Sequence, residues 1–156
     1  MAIALSLRQY LSDHQIPYDV LVHEATGSAG HAAEAAHVPG DKMAKGVLLS
    51  GSDGYMLAVL PASHHLRMDL LNDHLGDTMR LATEEEIGEL FRDCERGAVP
   101  ACAPAYGLRA VVDDTLGIVP DVYMEAGDHR SLLHLDGEAF HRMLGTADHA
   151  RISMHD

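Results

Sequence analysis

Two apolar runs joined by a short loop limit the folds open to this chain more than any other feature. Residues 43–50 are apolar apart from Lys45, Gly51-Ser52-Asp53-Gly54 is dense in turn-forming residues, and residues 55–60 are apolar again. Strand-length runs bounded in this way predict a β-hairpin with a four-residue connection. Upstream, Ser6-Leu7-Arg8-Gln9 has the form of a capping box, and Leu7, Tyr10 and Leu11 predict a helix over about residues 7–15 that Pro17 stops. Tyr18, Val20 and Val22 alternate with Asp19, Leu21 and His23, which predicts a strand with one face better buried than the other. Residues 28–36 are rich in alanine and predict a short, closely packed helix, ended by Val38-Pro39-Gly40-Asp41.

Downstream, Leu66, Leu70, Leu71 and Leu75 mark a helix closed by Gly76, and Thr83-Glu84-Glu85-Glu86 is a second capping box opening a helix to about residue 92. Residues 109–112, 122–124 and 132–135 are further apolar runs, and Asp136 caps a last helix over about residues 138–144. Strands paired by short loops, with helices before and between them and no regular βαβ alternation, predict an α+β fold with a mostly antiparallel or mixed sheet. The longest stretch without periodicity is residues 93–108. A loop of that length in a compact domain is usually functional or disordered, and its small apolar residues argue against disorder.

With 156 residues, 47% hydrophobic and 22% charged, the chain is expected to form one domain over residues 1–156, and disorder is excluded. Eleven Lys plus Arg against 24 Asp plus Glu leave a net charge of −13, which repels phosphate backbones and anionic lipid and argues against a self-sufficient nucleic-acid binder. Residues 1–8 lack the pattern of a secretory signal, and no window approaches the roughly 18 apolar residues that span a bilayer, so a cytoplasmic protein without membrane contact is expected. Cys94 and Cys102 are read as free thiols.

Few residues stand out chemically. Only two of the eleven basic residues are lysines, Lys42 and Lys45. In a strand Lys45 shares a face with Met43, Val47 and Leu49, where its ammonium would be poorly solvated and act strongly on a bound oxygen, while Lys42 is expected on the opposite face. The plainer reading of Lys45 is an edge-strand lysine reaching water along its stem. Gly97 and Pro100 could shape a loop that presents backbone N–H groups to a carbonyl or phosphate, though Gly and Pro are also ordinary turn residues. The twelve histidines include no His-x-x-x-His face, and no Gly-x-Ser-x-Gly elbow is present, so neither a metal site nor a nucleophilic serine is expected.

In order and spacing these marks resemble the YbaK/EbsC family of aminoacyl-tRNA deacylases and the related editing domain of bacterial prolyl-tRNA synthetases. The likeness runs from about His23 to Phe140, through the alanine-rich helix, Met43-Ala44-Lys45-Gly46-Val47-Leu48-Leu49, Gly97-Ala98-Val99-Pro100, Val111-Val112-Asp113-Asp114-Thr115-Leu116 and Val122-Tyr123-Met124-Glu125-Ala126-Gly127-Asp128-His129. It implies a barrel-like sheet flanked by helices, with the lysine and the glycine loop facing one cleft. It also implies trans-editing: hydrolysis of the ester of a mischarged tRNA bearing a small amino acid. Water is then the nucleophile, assisted by the tRNA's ribose hydroxyl, without cofactor or metal. Lys45 is carried over as catalytic, and Ser28, Gly97, Ala98, Val99, Pro100, Gly127 and His129 as substrate-binding. The implied partners are the acceptor end of mischarged tRNA and a synthetase that presents it. Gly46 replaces a common threonine, and Ala101-Cys102 a common Pro-Phe, which would remove bulk beside the cleft. The alternatives are a non-catalytic domain of the same fold binding an aminoacyl or nucleotide ligand, and a histidine-metal hydrolase.

Overall fold

The structure, a computed structural model, describes residues 3–24 and 29–156, and of residues 29–31 the backbone alone. The hairpin forms as β2 (Met43–Gly51) and β3 (Gly54–Pro61), antiparallel over their length. Gly51 pairs with Gly54, so the connection tightens to two residues, and Gly54 at φ +102° supplies the backbone conformation that so tight a reversal needs. The hairpin is the centre of an eight-stranded sheet. β1 (Asp19–Val22), β8 (Ser131–Asp136) and β7 (Asp121–Glu125) lie to one side of it, and β6 (Arg109–Asp113) and β9 (Asp148–Ala150) to the other, giving the order β1-β8-β7-β2-β3-β6-β9. β5 (Arg80–Leu81) pairs with β2, and β4 (His64–Leu66) with β10 (Ser153–His155) form a separate ribbon. The contacts β2–β7, β3–β6 and β6–β9 are parallel and the rest antiparallel, which is the mixed, mostly antiparallel α+β sheet expected.

Both faces are covered. On the first, Ala44, Leu48, Leu57, Val112, Met124 and Leu133 are buried under α1 (Leu5–Asp13) and α5 (Gly137–Leu144), which contribute Leu7, Leu11, Phe140 and Met143. On the second, Leu49, Met56, Leu60 and Val111 pack with Leu71 of α3 (Met68–Leu75) and with Ile152, while Met43 and Leu132 pack with Ala32 and Ala33 of α2 (Ala29–Ala35). Alanines at that contact let helix and sheet approach closely.

Of the three helix caps expected, those of Thr83 and Asp136 form and that of Ser6 does not. Thr83 opens α4 (Glu84–Leu90) with both bonds of a capping box, Glu86 N–H to the Thr83 hydroxyl at 3.1 Å and Thr83 N–H to the Glu86 carboxylate at 2.9 Å. Ser6 caps nothing. α1 begins at Leu5 because the Ala4 N–H is taken by the Ala126 carbonyl and the Ser6 N–H by the Asp93 carboxylate, each from far along the chain. β1 also departs from expectation, since it is an edge strand with every residue exposed rather than one face buried. Lys42 does not share the strand with Lys45. It ends a 3-10 turn, Gly40–Lys42, and pairs with Asp121 at 2.9 Å.

Candidate active site

Lys45 lies on a central strand, between β7 and β3, so the edge-strand reading does not hold. Pairing puts Lys45 opposite Leu60, and strand alternation gives it a face with Met43, Val47 and Leu49. It thus occupies the polar seam between the two apolar clusters of the second face. The side chain is half-buried, and the ammonium donates to the His64 carbonyl at 2.6 Å, its one hydrogen bond among the described residues. Burial lowers its pKa from the ordinary lysine value, partly offset by the Asp156 charge. Two of its three donors are left for a ligand.

The β2–β7 register leads from the lysine to the second part of the site. Met43 pairs with Tyr123 and Ala44 with Met124, and Lys45 and Glu125 are the residues that follow these pairs on their strands, where β7 ends in the turn 126–130. The Asp128 carboxylate builds that turn by accepting from the N–H groups of Arg130 at 3.0 Å and Ser131 at 2.8 Å, and from the Ser131 hydroxyl at 3.1 Å. Gly127 stands at φ +111°, where a Cβ would lie 2.9 Å from the Ala4 Cβ and 3.3 Å from the Cys94 sulfur, so a side chain has neither the backbone nor the space it needs.

The Gly97 loop is stapled to this turn. Glu95 N–H donates to the Gly127 carbonyl at 2.7 Å, and the Nε2 of His129 contacts the Arg96 carbonyl. Gly97 itself is exposed, at φ +82°, while Ala98 and Pro100 are buried. The Ala98 N–H closes a turn on the Glu95 carbonyl at 3.0 Å, which removes it as a donor to a ligand. The amides of Gly97 and Val99 have no hydrogen-bond partner among the described residues. The loop and the turn are thus joined at the end of β7, while no hydrogen bond joins Lys45 to either segment. Ser28 lies outside the described residues.

Sequence reasoning passed over Glu125, which is 2% exposed, with neither carboxylate oxygen hydrogen-bonded. Burial and, second, the Asp128 charge push its pKa up to about 8. A carboxylate at the end of the apolar run 122–124 was legible in the sequence, but nothing there told it apart from a solvated strand end. The departures thought to open the cleft do not lie there. A Cβ on Gly46 would meet Leu57 side-chain atoms at 3.1 Å, and Ala101 and Cys102 are fully buried in the core of the first face. Burial pushes both thiols, Cys94 and Cys102, up to about 12, so neither is a nucleophile at neutral pH. Among the described residues no group of three His, Cys, Asp or Glu side chains is placed to hold a metal ion, and no helix is long and apolar enough to cross a membrane. A groove of about 670 Å³ lined by Tyr10, His14, Arg109 and Asp148 contains none of the expected site residues.

The family model described as "Aminoacyl-tRNA editing domain" matches residues 23–143, which begins just after β1 and takes in Lys45, the Gly97 loop, the turn and most of α5. The chain belongs to the aminoacyl-tRNA editing domain family. A solved structure described as a candidate trans-editing enzyme for prolyl-tRNA synthetase superposes on this editing domain with a TM-score of 0.81 at 25% identity, covering 98% of this chain and 99% of that one. A second, described only as a hypothetical protein, gives a TM-score of 0.81 at 23% identity over 96% of this chain and 99% of its own, a likeness of fold. A proline–tRNA ligase from Thermosipho africanus (strain TCF52B) is 37% identical over 60 residues, or 38% of this chain. The editing domain spans only 11% of that ligase's length.

Proposed function

We propose that the protein works as a single trans-editing domain that hydrolyses the ester of a tRNA mischarged with a small amino acid. What supports this reading is a chain of the editing family in which the Lys45 ammonium makes one hydrogen bond and the amides of Gly97 and Val99 have no partner among the described residues. A cation and two N–H donors suit the oxygen of an ester carbonyl as it gains charge, and each such donor is typically worth about 3–4 kcal/mol of barrier. Water adds to the carbonyl carbon, the carbonyl oxygen takes up the charge, and the bond to the ribose oxygen breaks as that oxygen receives a proton. The free amino acid and intact tRNA leave. Likeness to the editing family implies that water is the nucleophile and that the neighbouring ribose hydroxyl assists it, and both thiols are held neutral and do not compete.

The likeness to a proline–tRNA ligase and to a candidate prolyl trans-editing enzyme favours tRNA for proline as the substrate to try first. A net charge of −13 favours a synthetase as the partner that presents it, because the domain has little basic surface to hold tRNA alone. The deciding experiment is single-turnover deacylation of that tRNA charged with alanine, serine, cysteine or proline. Hydrolysis of at least one small non-cognate ester well above the uncatalysed rate is expected. Binding of the charged acceptor end without any acceleration would instead favour a non-catalytic ligand-binding domain.

A further inference from the structure

Beside the site stand buried polar atoms that no described residue satisfies. They are both carboxylate oxygens of Glu125, the Nε2 of His23 and the Nδ1 of His129. All three residues gather around one turn. Glu125 ends β7 just before it, His129 lies within it, and the His23 N–H donates to the Arg130 carbonyl at 2.7 Å. Glu125 and His23 also share the second face of the sheet, since Glu125 and Leu21 both pair with Leu132 and His23 follows Leu21 by two residues.

The tautomers follow from the partners. His23 Nδ1 meets the Glu24 carbonyl at 2.5 Å and His129 Nε2 meets the Arg96 carbonyl. A carbonyl only accepts, so each of these nitrogens carries the proton, and in a neutral ring the other nitrogen offers a lone pair. The two orphaned ring nitrogens are therefore acceptors, as is the Glu125 carboxylate once it gives up its proton. Their positions do not suit a metal ion, as no three such side chains among the described residues are arranged to hold one. Lys45 does not supply the missing donors, because its ammonium is turned to the His64 carbonyl.

Resting on the deacylase reading, we propose that this corner receives the α-ammonium group of the esterified amino acid, so that Glu125 and the two histidines select esters with a free amine. An ammonium presents three N–H donors, which complements a set of acceptors, and it is the only cation on an aminoacyl ester of a small apolar amino acid. A buried carboxyl of pKa about 8 also suits an α-amino group that titrates near the same pH, since the pair can share one proton without either charge being left alone. It follows that esters lacking the amine, or carrying it blocked, are poor substrates.

The test compares alanyl-tRNA with lactyl-tRNA, which puts a hydroxyl where the amine stands, each rate divided by that ester's uncatalysed rate. Wild type is expected to accelerate the alanyl ester about tenfold or more over the lactyl ester, and Glu125→Gln to lose that preference by slowing the alanyl ester alone. Equal acceleration of both esters by wild type overturns the inference and leaves the deacylase reading standing, whether or not the variant folds. Equal slowing of both by Glu125→Gln overturns it too, as the mark of a merely structural residue. If wild type accelerates neither ester, this inference fails, and the deacylase reading fails with it when the seryl, cysteinyl and prolyl esters are not accelerated either.

Discussion

Replacing Lys45 by alanine separates chemistry from structure more sharply than any other change in this protein. The ammonium is half-buried and makes one hydrogen bond, so it is partly stripped of water and has two donors to offer. If it faces the ester oxygen, its loss should cost about 3 kcal/mol of transition-state stabilisation, a fall of roughly two orders of magnitude in rate. Stability should move little. The bond to the His64 carbonyl is lost, but so is the cost of keeping a half-buried charge from water, and the two effects should leave a net change within about 1 kcal/mol. Lys45→Arg should restore little activity, because a planar guanidinium is wider than an ammonium and cannot take its place among Met43, Val47 and the His64 carbonyl. Lys42→Ala is the control: it breaks a partly exposed pair with Asp121, worth about 0–1 kcal/mol, and should leave turnover unchanged. The assay is single-turnover deacylation of the best mischarged tRNA, with thermal melts of all three variants. Lys45→Ala turning over as fast as wild type, or Lys42→Ala losing as much activity, would refute the role assigned to Lys45.

Three further outcomes are expected. Gly127→Ala should destabilise by about 2 kcal/mol or more, lowering Tm by about 4 °C or more, because φ +111° strains any side chain and the new Cβ would lie 2.9 Å from Ala4; an unchanged melt would mean the turn is more pliable than drawn. Gly97→Val, at an exposed position with φ +82°, should reduce deacylation by about tenfold or more by blocking approach to the loop amides, and unchanged kinetics would remove the loop from the site. The last concerns Glu125. Its pKa is about 8 in the folded protein against an ordinary 4.5, so the folded state binds the extra proton, and wild-type stability should fall as pH rises between about 4.5 and 8, by at most about 1.4 kcal/mol per unit. Glu125→Gln should flatten that part of a denaturant-derived stability profile, and parallel profiles would show that Glu125 ionises normally.

Periodicity exposed the long elements because their apolar runs exceed a single strand or helix turn. The hairpin, the strands around residues 109–112, 122–124 and 132–135, and the helices after Thr83 and Asp136 all form where the pattern put them. β4, β5, β9 and β10 were invisible for the opposite reason: at two or three residues each they are too short to show a period, and tertiary contact alone creates them. Ser6 shows a local signal overruled from a distance. Its box pattern is intact, yet the Asp93 carboxylate claims the Ser6 N–H that Gln9 would have accepted, and Ala4, held by the Ala126 carbonyl, precedes the helix start instead.

The site was legible as a set of positions and illegible as an arrangement. Order along the chain brought out Lys45, the Gly97 loop and Gly127-Asp128-His129, but not that Ala98 closes its own turn while the amides of Gly97 and Val99 find no partner among the described residues. Nor could it place Gly46, Ala101 and Cys102 in the core of the first face, where their small size answers to Leu57 and its neighbours rather than to a substrate. That placement moves the question of amino-acid selection to the second face. There the polar seam is bounded by Met43 and Leu132 on one side and Val47 and Leu60 on the other, and it holds one cation and one carboxyl on neighbouring strands. The two do not neutralise each other, because Lys45 is drawn toward β4 and Glu125 is left without a donor. Paired, they would have been a structural link across the sheet; apart, they present opposite functional groups to the two ends of an aminoacyl ester, the carbonyl that gains negative charge and the amine that carries positive charge.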